Sequence, residues 1–208
     1  YGETGYRLWL RYDLIDDPVL LNEYRTKFQS VNFTATSSTE VVAKNELTQA
    51  FKGLLGKNID FNGSDFASIV IGTPQSSAII RSSITSNELK NLNDGYIIKT
   101  VLKNGKHQII IAAPSDKGIL YGIFHFIRLL QTRKSLSNLL ISESPQISNR
   151  ILNHWDNLDG TVERGYAGFS LWEWHKLPGF TQTRYTDYAR ANASVGINGT
   201  VLNNVNAN

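Results

Sequence analysis

Apolar and polar positions in the first part of the chain alternate between the period of a strand and the period of a helix. Period-two alternation over 6–12 predicts a strand, and a second strand is expected over 28–36. Ser37 and Glu40 have the spacing of a capping box, which predicts a helix over 38–55. The apolar stripe of this helix is made of four residues: Leu47, Phe51, Leu54 and Leu55.

The clearest element is a hairpin of two apolar strands, 96–103 and 106–113, joined by Asn104-Gly105. Asn-Gly is the preferred pair of a type I′ turn, because both central residues need positive φ. The other elements expected here are a strand over 66–72 and helices over 87–92 and 116–132. Together they predict an α/β fold, with a small mixed-sheet domain over residues 1–145.

After residue 145 the pattern changes to strand, loop, helix and strand. These four elements are expected over 150–155, 160–180, 185–195 and 198–202, and the first strand is expected to be buried. Their order is that of a βαβ unit, and both strands are followed by polar residues. The active site of a β/α barrel lies at the carboxyl ends of its strands, so polar residues at both strand ends are compatible with such a barrel. The pattern alone predicts no more than one βαβ unit in this part of the chain.

Composition and charge exclude several classes of function. The net charge is +3 and the basic residues are dispersed, so nucleic-acid binding is not expected. No apolar run approaches the roughly 18 residues of a membrane span. The sequence has no cysteine, which excludes thiolate metal sites, and no His-Glu-x-x-His motif. It also has no P-loop and no Gly-x-Gly-x-x-Gly motif, so no cofactor is expected.

The chain contains no methionine and begins at Tyr1. A removed leader and a boundary inside a longer protein both explain this start. An extracellular or periplasmic location is therefore the expectation, with a cytoplasmic location left open.

Aromatic and polar residues beyond residue 150 provide the candidate chemistry. Trp155 is either a core residue or a platform for the C–H face of a pyranose ring. For Trp172 and Trp174 the pattern favours packing over a place in a cleft wall. The six asparagines between Asn192 and Asn208 form either a solvated terminus or a surface that binds sugar hydroxyls. Three carboxylates follow the first strand of this part: Asp156, Asp159 and Glu163. Their spacing along one loop does not establish the separation that glycoside hydrolysis requires.

Long segments of the chain match a known pattern: NRILNHWDNLD over 149–159, TVERGYAG over 161–168 and DYARANASVGINGTVLNNVNAN over 187–208. They resemble the start of the catalytic barrel in the α-glucuronidases of glycoside hydrolase family 67. The resemblance implies that residues 146–208 are the start of a (β/α)8 barrel, which is expected to be incomplete within these 208 residues. The segment DKGILYG over 116–122 matches more loosely. It resembles the small α/β domain that precedes the barrel in this family and in some hexosaminidases.

The resemblance implies an enzyme that releases glucuronic acid, or its 4-O-methyl form, from xylo-oligosaccharides. It further implies an inverting reaction without a metal, with Trp155 against the uronic acid ring and Val205 near the 4-O-methyl group. Four further substrate-binding residues are predicted from their positions at the strand ends alone: His154, Asp156, Asn204 and Asn206.

The catalytic carboxylates of the family lie further along the barrel than this sequence extends. No catalytic residue is therefore assigned here, and these 208 residues are expected to be inactive by themselves. A non-catalytic carbohydrate-binding or assembly module is the alternative, as is a fragment of a hexosaminidase-like glycosidase. Open strand edges would be covered by the first domain or by a second copy, so a homodimer is a further expectation.

Overall fold

Two units divide the chain, Tyr1–Gln146 and Ile147–Asn208. The computed structural model describes residues 2–202. The helices and strands of the first unit are α1 Pro18–Lys27, β1 Val31–Asn32, α2 Ser38–Leu55, β2 Ile69–Gly72, α3 Ala78–Ser83, α4 Ser86–Leu89, β3 Tyr96–Lys103, β4 Lys106–Ala112, α5 Asp116–Gln131 and β5 Leu140–Glu143. Those of the second unit are β6 Ile151–Asn153, a 3₁₀ turn Trp174–Lys176, α6 Thr183–Ser194 and β7 Gly199–Val201.

A five-stranded mixed sheet is the framework of the first unit, in the order β1-β2-β4-β3-β5. β1, β2 and β4 run parallel, whereas β3 pairs antiparallel with both β4 and β5. Three consecutive residues of β4 are fully buried: Ile109, Ile110 and Ile111. A strand covered on both faces reads as a continuous apolar run, which is why β4 does not alternate. The α/β class with a mixed sheet is therefore confirmed.

Each face of this sheet has its own hydrophobic core. On one face, α2 and α5 pack over Ile69, Ile71 and the neighbouring strands. Phe28 lies in this core, with its ring edge-on to Phe51 at 5.8 Å and to Phe126 at 5.7 Å between centroids. Short helices α3 and α4 cover the other face, where the smaller core includes residues of β2, β3 and β4.

The local signals for α2, α5 and the hairpin are confirmed. Ser37 and Glu40 form the full capping box of α2, and Ser115 caps α5. Asn104 and Gly105 have φ values of 52° and 74°, as the turn between β3 and β4 requires. These elements were predictable because the residues that determine them are neighbours in sequence.

The strand predicted over 6–12 is wrong, because this segment forms a turn. Leu8 has a φ of 51°, outside the extended region. The chain is then tied to a helix instead of a sheet, since the Ile15 amide donates to the Leu54 carbonyl at 3.0 Å. The strand predicted over 28–36 is shortened to the two residues of β1.

The second unit is built on a parallel pair of strands. β6 and β7 pair in register from Ile151 with Gly199 to Asn153 with Val201, and α6 lies between them in sequence. The predicted strand, helix and strand are thus confirmed. The predicted burial of β6 is not confirmed, because all three of its residues are exposed. Among residues 2–202, no helix combines the length and the apolar character that a membrane span requires.

His125 on α5 is half-buried, and its Nδ1 lies 2.8 Å from the Tyr96 hydroxyl. This contact gives the buried side of the imidazole a hydrogen-bond partner. Burial lowers the pKa of His125, the Arg128 guanidinium lowers it further, and Glu143 opposes both effects. Burial also raises the pKa of Tyr96 to about 12, so its hydroxyl stays protonated at neutral pH.

We expect the first unit to lose stability as the pH falls below about 6.5, the ordinary pKa of histidine. With the folded pKa depressed, the unfolded chain takes up a proton that the folded chain does not, so stability rises with pH across that window. Chemical denaturation between about pH 5 and pH 7 measures the slope. His125→Gln should flatten it, whereas His107→Gln, at an exposed position, should not. An unchanged slope in His125→Gln would contradict this account.

Candidate functional site

The carboxyl end of β6 brings together the three residues singled out from the sequence, His154, Trp155 and Asp156. The His154 amide donates to the Val201 carbonyl of β7 at 3.0 Å, which extends the pairing of the two strands by one bond. The three side chains that follow have different surroundings, and each is therefore suited to a different role.

His154 is held by aromatic residues of the loop and of α6. Its Nε2 lies 2.8 Å from the Tyr188 hydroxyl, and its ring stands edge-on to Trp172 at 5.5 Å. Trp172 in turn contacts Tyr185 at 4.6 Å and Tyr188 at 5.7 Å between centroids. Packing, the role that the pattern favoured for Trp172, is confirmed. The cluster connects the strand end, the loop and the helix, and it sets the orientation of the imidazole.

Asp156 is completely buried, with 0% of its surface exposed. Its Oδ2 accepts hydrogen bonds from the Ser170 hydroxyl and, at 2.9 Å, from the Trp174 indole nitrogen. Oδ1 is buried without a hydrogen-bond partner in the part of the chain that the structure describes. The carboxylate therefore ties the long loop to the strand end. Its predicted contact with substrate stays a prediction.

Trp155 differs from both neighbours because its side chain is 54% exposed. Its backbone is fixed, since the carbonyl accepts a hydrogen bond from the Glu163 amide at 2.7 Å. An indole that is presented to solvent on a hydrogen-bonded backbone has one face available for a ligand. Its predicted role as a platform for a sugar ring stays a prediction.

The loop after Asp156 surrounds an open depression of about 520 Å³. The Asn157 amide donates to the Thr161 hydroxyl at 2.7 Å and to the Glu163 carbonyl at 2.6 Å. Asp159 accepts from the Thr161 hydroxyl and amide, and these two bonds lower the pKa of the Asp159 carboxyl. Asp159 thus stabilises the turn, which is the commonest role of an aspartate in such a loop.

Glu163 is also engaged, because a hydrogen bond with its carboxylate raises the pKa of the Tyr166 phenol. The three carboxylates that the sequence suggested thus have different structural roles. Asp156 holds the loop, Asp159 stabilises a turn, and Glu163 contacts Tyr166.

Sequence reasoning missed Glu173, Tyr185 and Tyr188. Glu173 pairs with Lys176 at 3.0 Å and with Arg184 at 3.8 Å, and its amide donates to the Tyr185 hydroxyl. The hydrogen bond from Lys176 lowers the pKa of the Glu173 carboxyl. The spacing of Tyr185 and Tyr188 places both on one face of α6, and this was the signal available.

Three predicted site residues lie outside the described residues: Asn204, Val205 and Asn206. Within residues 2–202, no group of three potential metal ligands comes together. The described site thus consists of one exposed tryptophan, one oriented histidine and a loop tied down by a buried aspartate.

Comparison with family models places both units among the glycoside hydrolases. The glycosyl hydrolase family 67 N-terminus model matches residues 8–126, and the family 67 middle domain model matches residues 129–208. The chain belongs to glycoside hydrolase family 67, as its resemblance implied.

Curated relatives agree with this assignment over the full length of the chain. Alpha-glucuronidase A of Emericella nidulans is 31% identical, alpha-glucuronidase of Hypocrea jecorina is 32% identical, and probable alpha-glucuronidase A of Neosartorya fischeri is 34% identical. Each alignment covers 100% of this chain. The chain spans about a quarter of the length of these relatives.

A solved structure has a similar fold. It is described as a family GH115 4-O-methyl-alpha-glucuronidase with specificity for decorated arabinogalactans, and it superposes with a TM-score of 0.59. The match covers 83% of this chain and 25% of that one, at 16% identity. At this identity the likeness concerns the fold alone.

Proposed function

We propose that the chain forms the N-terminal domain and the first strands of the catalytic barrel of an α-glucuronidase. The observation that carries the proposal is the alignment of the whole chain, at 31–34% identity, with two alpha-glucuronidases and one probable alpha-glucuronidase. The parallel β6-α6-β7 unit, with Trp155 at the carboxyl end of β6, is consistent with it.

Exposed apolar side chains on the short sheet support the barrel. Four residues of β6, of β7 and just after β7 are exposed: Ile151, Leu152, Val201 and Leu202. In a closed barrel each strand has a neighbour on both sides, and helices cover its outer face. Further barrel strands would therefore bury these side chains. Alternatively, a second copy of the chain would bury them in a homodimer. Sedimentation equilibrium of the 208-residue chain would reveal such a dimer.

The proposed substrate is a xylo-oligosaccharide that carries glucuronic acid or 4-O-methylglucuronic acid. Trp155 would pack its exposed face against the uronic acid ring, and His154 would donate or accept a hydrogen bond at the strand end. Asp156 would not touch the substrate itself. It would fix the position of the long loop that follows β6, beside Trp155 and His154. The role of Val205 rests on the resemblance, and those of Asn204 and Asn206 on their position in the sequence after the second strand of this part.

Bond cleavage would need groups from elsewhere in the barrel. An inverting glycosidase places an acid and a base roughly 6.5–9.5 Å apart, on opposite sides of the scissile bond. Since the carboxylates near the described site serve tethers, turns and ion pairs, we propose that the catalytic pair is supplied by barrel strands after β7. The 208 residues alone would then release no product.

Assay of the protein expressed from its complete coding sequence tests the activity. We expect release of glucuronic acid, or its 4-O-methyl form, from aldouronic acids of xylan. Xylan oligosaccharides without the acid serve as the control substrate. A protein that showed only hexosaminidase activity would refute the proposal.

A non-catalytic binding module is the second candidate, favoured by the exposure of Trp155 within these residues. It predicts that the 208-residue chain binds aldotriouronic acid unaided. Under the glucuronidase proposal, calorimetry should detect little or no binding, because only one wall of the site is present. Micromolar binding that is lost in Trp155→Ala would favour the module instead.

Trp155→Ala should reduce kcat/KM on aldouronic acids by about tenfold, since the lost stacking and burial amount to about 1.4 kcal/mol. The matched control is Phe169→Ala, which removes another exposed aromatic ring of the same unit. Steady-state kinetics of both variants in the complete protein make the comparison. Equal losses in the two variants would argue against a platform at Trp155.

A further inference from the structure

A cavity of about 270 Å³ lies in the first unit, at the turn end of the β3-β4 hairpin. It is called the hairpin cavity here, and its lining residues used below are Phe66, Lys103, Lys106 and Gln108. Phe66 belongs to the segment that leads into β2, whereas the other three belong to the hairpin.

Two lysines face each other at the mouth of the hairpin cavity. Lys103 and Lys106 are directly paired across the antiparallel strands, so their side chains emerge on the same face of the sheet. Like charges in this position are destabilising. Among the described residues, no carboxylate lies within 4.0 Å of either ammonium group. An anion between the two lysines would relieve their repulsion.

Gln108 forms the inner wall on the same face, since it lies two residues after Lys106 along β4. Its side chain is only 4% exposed. The amide nitrogen donates to the Ala67 carbonyl at 2.7 Å and to the Asp65 carbonyl at 3.2 Å. The amide oxygen is buried without a hydrogen-bond partner in the described part of the chain. A buried acceptor without a partner costs stability, and a ligand hydroxyl would remove that cost.

Phe66 supplies an apolar wall that the fold does not use. Its ring is 72% exposed, although the backbone on either side is held to Gln108. Exposed aromatic rings on fixed backbone suit the C–H face of a sugar ring. The cavity thus combines a pair of positive charges, a buried acceptor without a partner among the described residues and an aromatic face.

We propose that the hairpin cavity is a second binding site for a carboxylated sugar, distinct from the site at β6. The carboxylate would lie between Lys103 and Lys106, a ring hydroxyl would donate to the Gln108 amide oxygen, and the ring would lie against Phe66. The choice of a uronic acid as ligand rests on the proposed function, whereas the cavity and its charges do not. Such a site would hold an acid-bearing polysaccharide on the N-terminal domain.

Titration of the isotope-labelled 208-residue chain with glucuronate, followed by amide chemical shifts, tests the site. We expect shifts concentrated at residues 66–67 and 103–108, and none of that size with glucose at equal concentration. Lys103→Ala/Lys106→Ala should weaken binding at least about tenfold, because it removes both charge-assisted contacts. Phe66→Ala should weaken it about fivefold, by loss of the stacked ring.

Matched controls separate the site from general charge. Lys90→Ala/Lys134→Ala removes the same charge from exposed positions of the first unit and should leave the affinity unchanged. Absence of glucuronate shifts at the hairpin would overturn the proposal. So would inorganic phosphate binding as tightly as glucuronate with no effect of Phe66→Ala, which would indicate a plain anion site. The chemical shifts report on residues of the first unit and do not depend on catalysis. A failure of the glucuronidase assay would therefore not change the interpretation of this titration.

Discussion

Gly118→Val is expected to destabilise the first unit by at least about 3 kcal/mol, at the upper end of the range for an overpacked core. A Cβ at Gly118 would lie 2.3 Å from the Gly95 carbonyl oxygen and 2.7 Å from the Ala113 Cβ. The nearest obstacle is backbone of the segment that leads into β3, so a rotamer change cannot relieve it. The helix would have to move away from the sheet.

Lys117→Val is the matched control, because it introduces the same β-branched side chain one position earlier in α5. Lys117 is exposed, so this variant reports only the helix propensity and the weak pairing with Asp94. It should cost under about 1 kcal/mol. Urea denaturation of both variants gives the comparison. A loss in Gly118→Val no larger than in Lys117→Val would mean that α5 can shift freely on the sheet.

This close approach also explains why the segment DKGILYG over 116–122 could support the resemblance of the first domain to a known α/β domain. At Gly122 a Cβ would lie 2.9 Å from an Ile111 side-chain carbon and 3.2 Å from the Tyr96 ring. Both glycines thus let the helix lie against the hairpin. The two glycines of the motif are required for the close packing of α5 on the sheet. The motif therefore indicates the fold of this domain and not its function.

Sequence patterns predicted those elements whose determinants are local. The capping box of α2 and the Asn104-Gly105 turn each depend on contacts within a few residues, and both are present. The segment 6–12 shows the limit of the method. Its short alternation is typical of a strand, but no pattern within it could indicate that Ile15 would bond to the end of α2.

The same limit applies to the candidate site. Trp155 could be proposed from its position after a strand and from the family resemblance. The partner of His154 could not, because Tyr188 is 34 residues away and the two meet only when β6 and α6 pack together. Burial of β6 is not confirmed for a similar reason, since two of its three residues are apolar but the described elements leave all three exposed.

Asp156→Ala is expected to destabilise the second unit by about 3 kcal/mol, because two hydrogen bonds to a buried carboxylate are lost and the Trp174 indole nitrogen is left without an acceptor. The loop from 157 to 182 should open before the rest of the unit. Trypsin can report this opening, since Arg164 and Lys176 lie within the loop. We expect cleavage at these sites to be faster than in the unmodified chain, together with a lower unfolding midpoint.

Two further variants separate a tether from a contact with substrate. Asp156→Asn keeps an acceptor oxygen and should preserve most of the protection against trypsin, whereas Asp159→Ala alters an exposed turn and should leave the Trp174 contact intact. If Asp156→Ala kept the loop protected but abolished activity of the complete protein, Asp156 would touch the sugar, as its position at the strand end first suggested. If loop opening and loss of activity instead rose together, and Asp156→Asn retained both properties, the carboxylate would act through the loop. The buried Oδ2, with two donors from the loop, favours the second outcome.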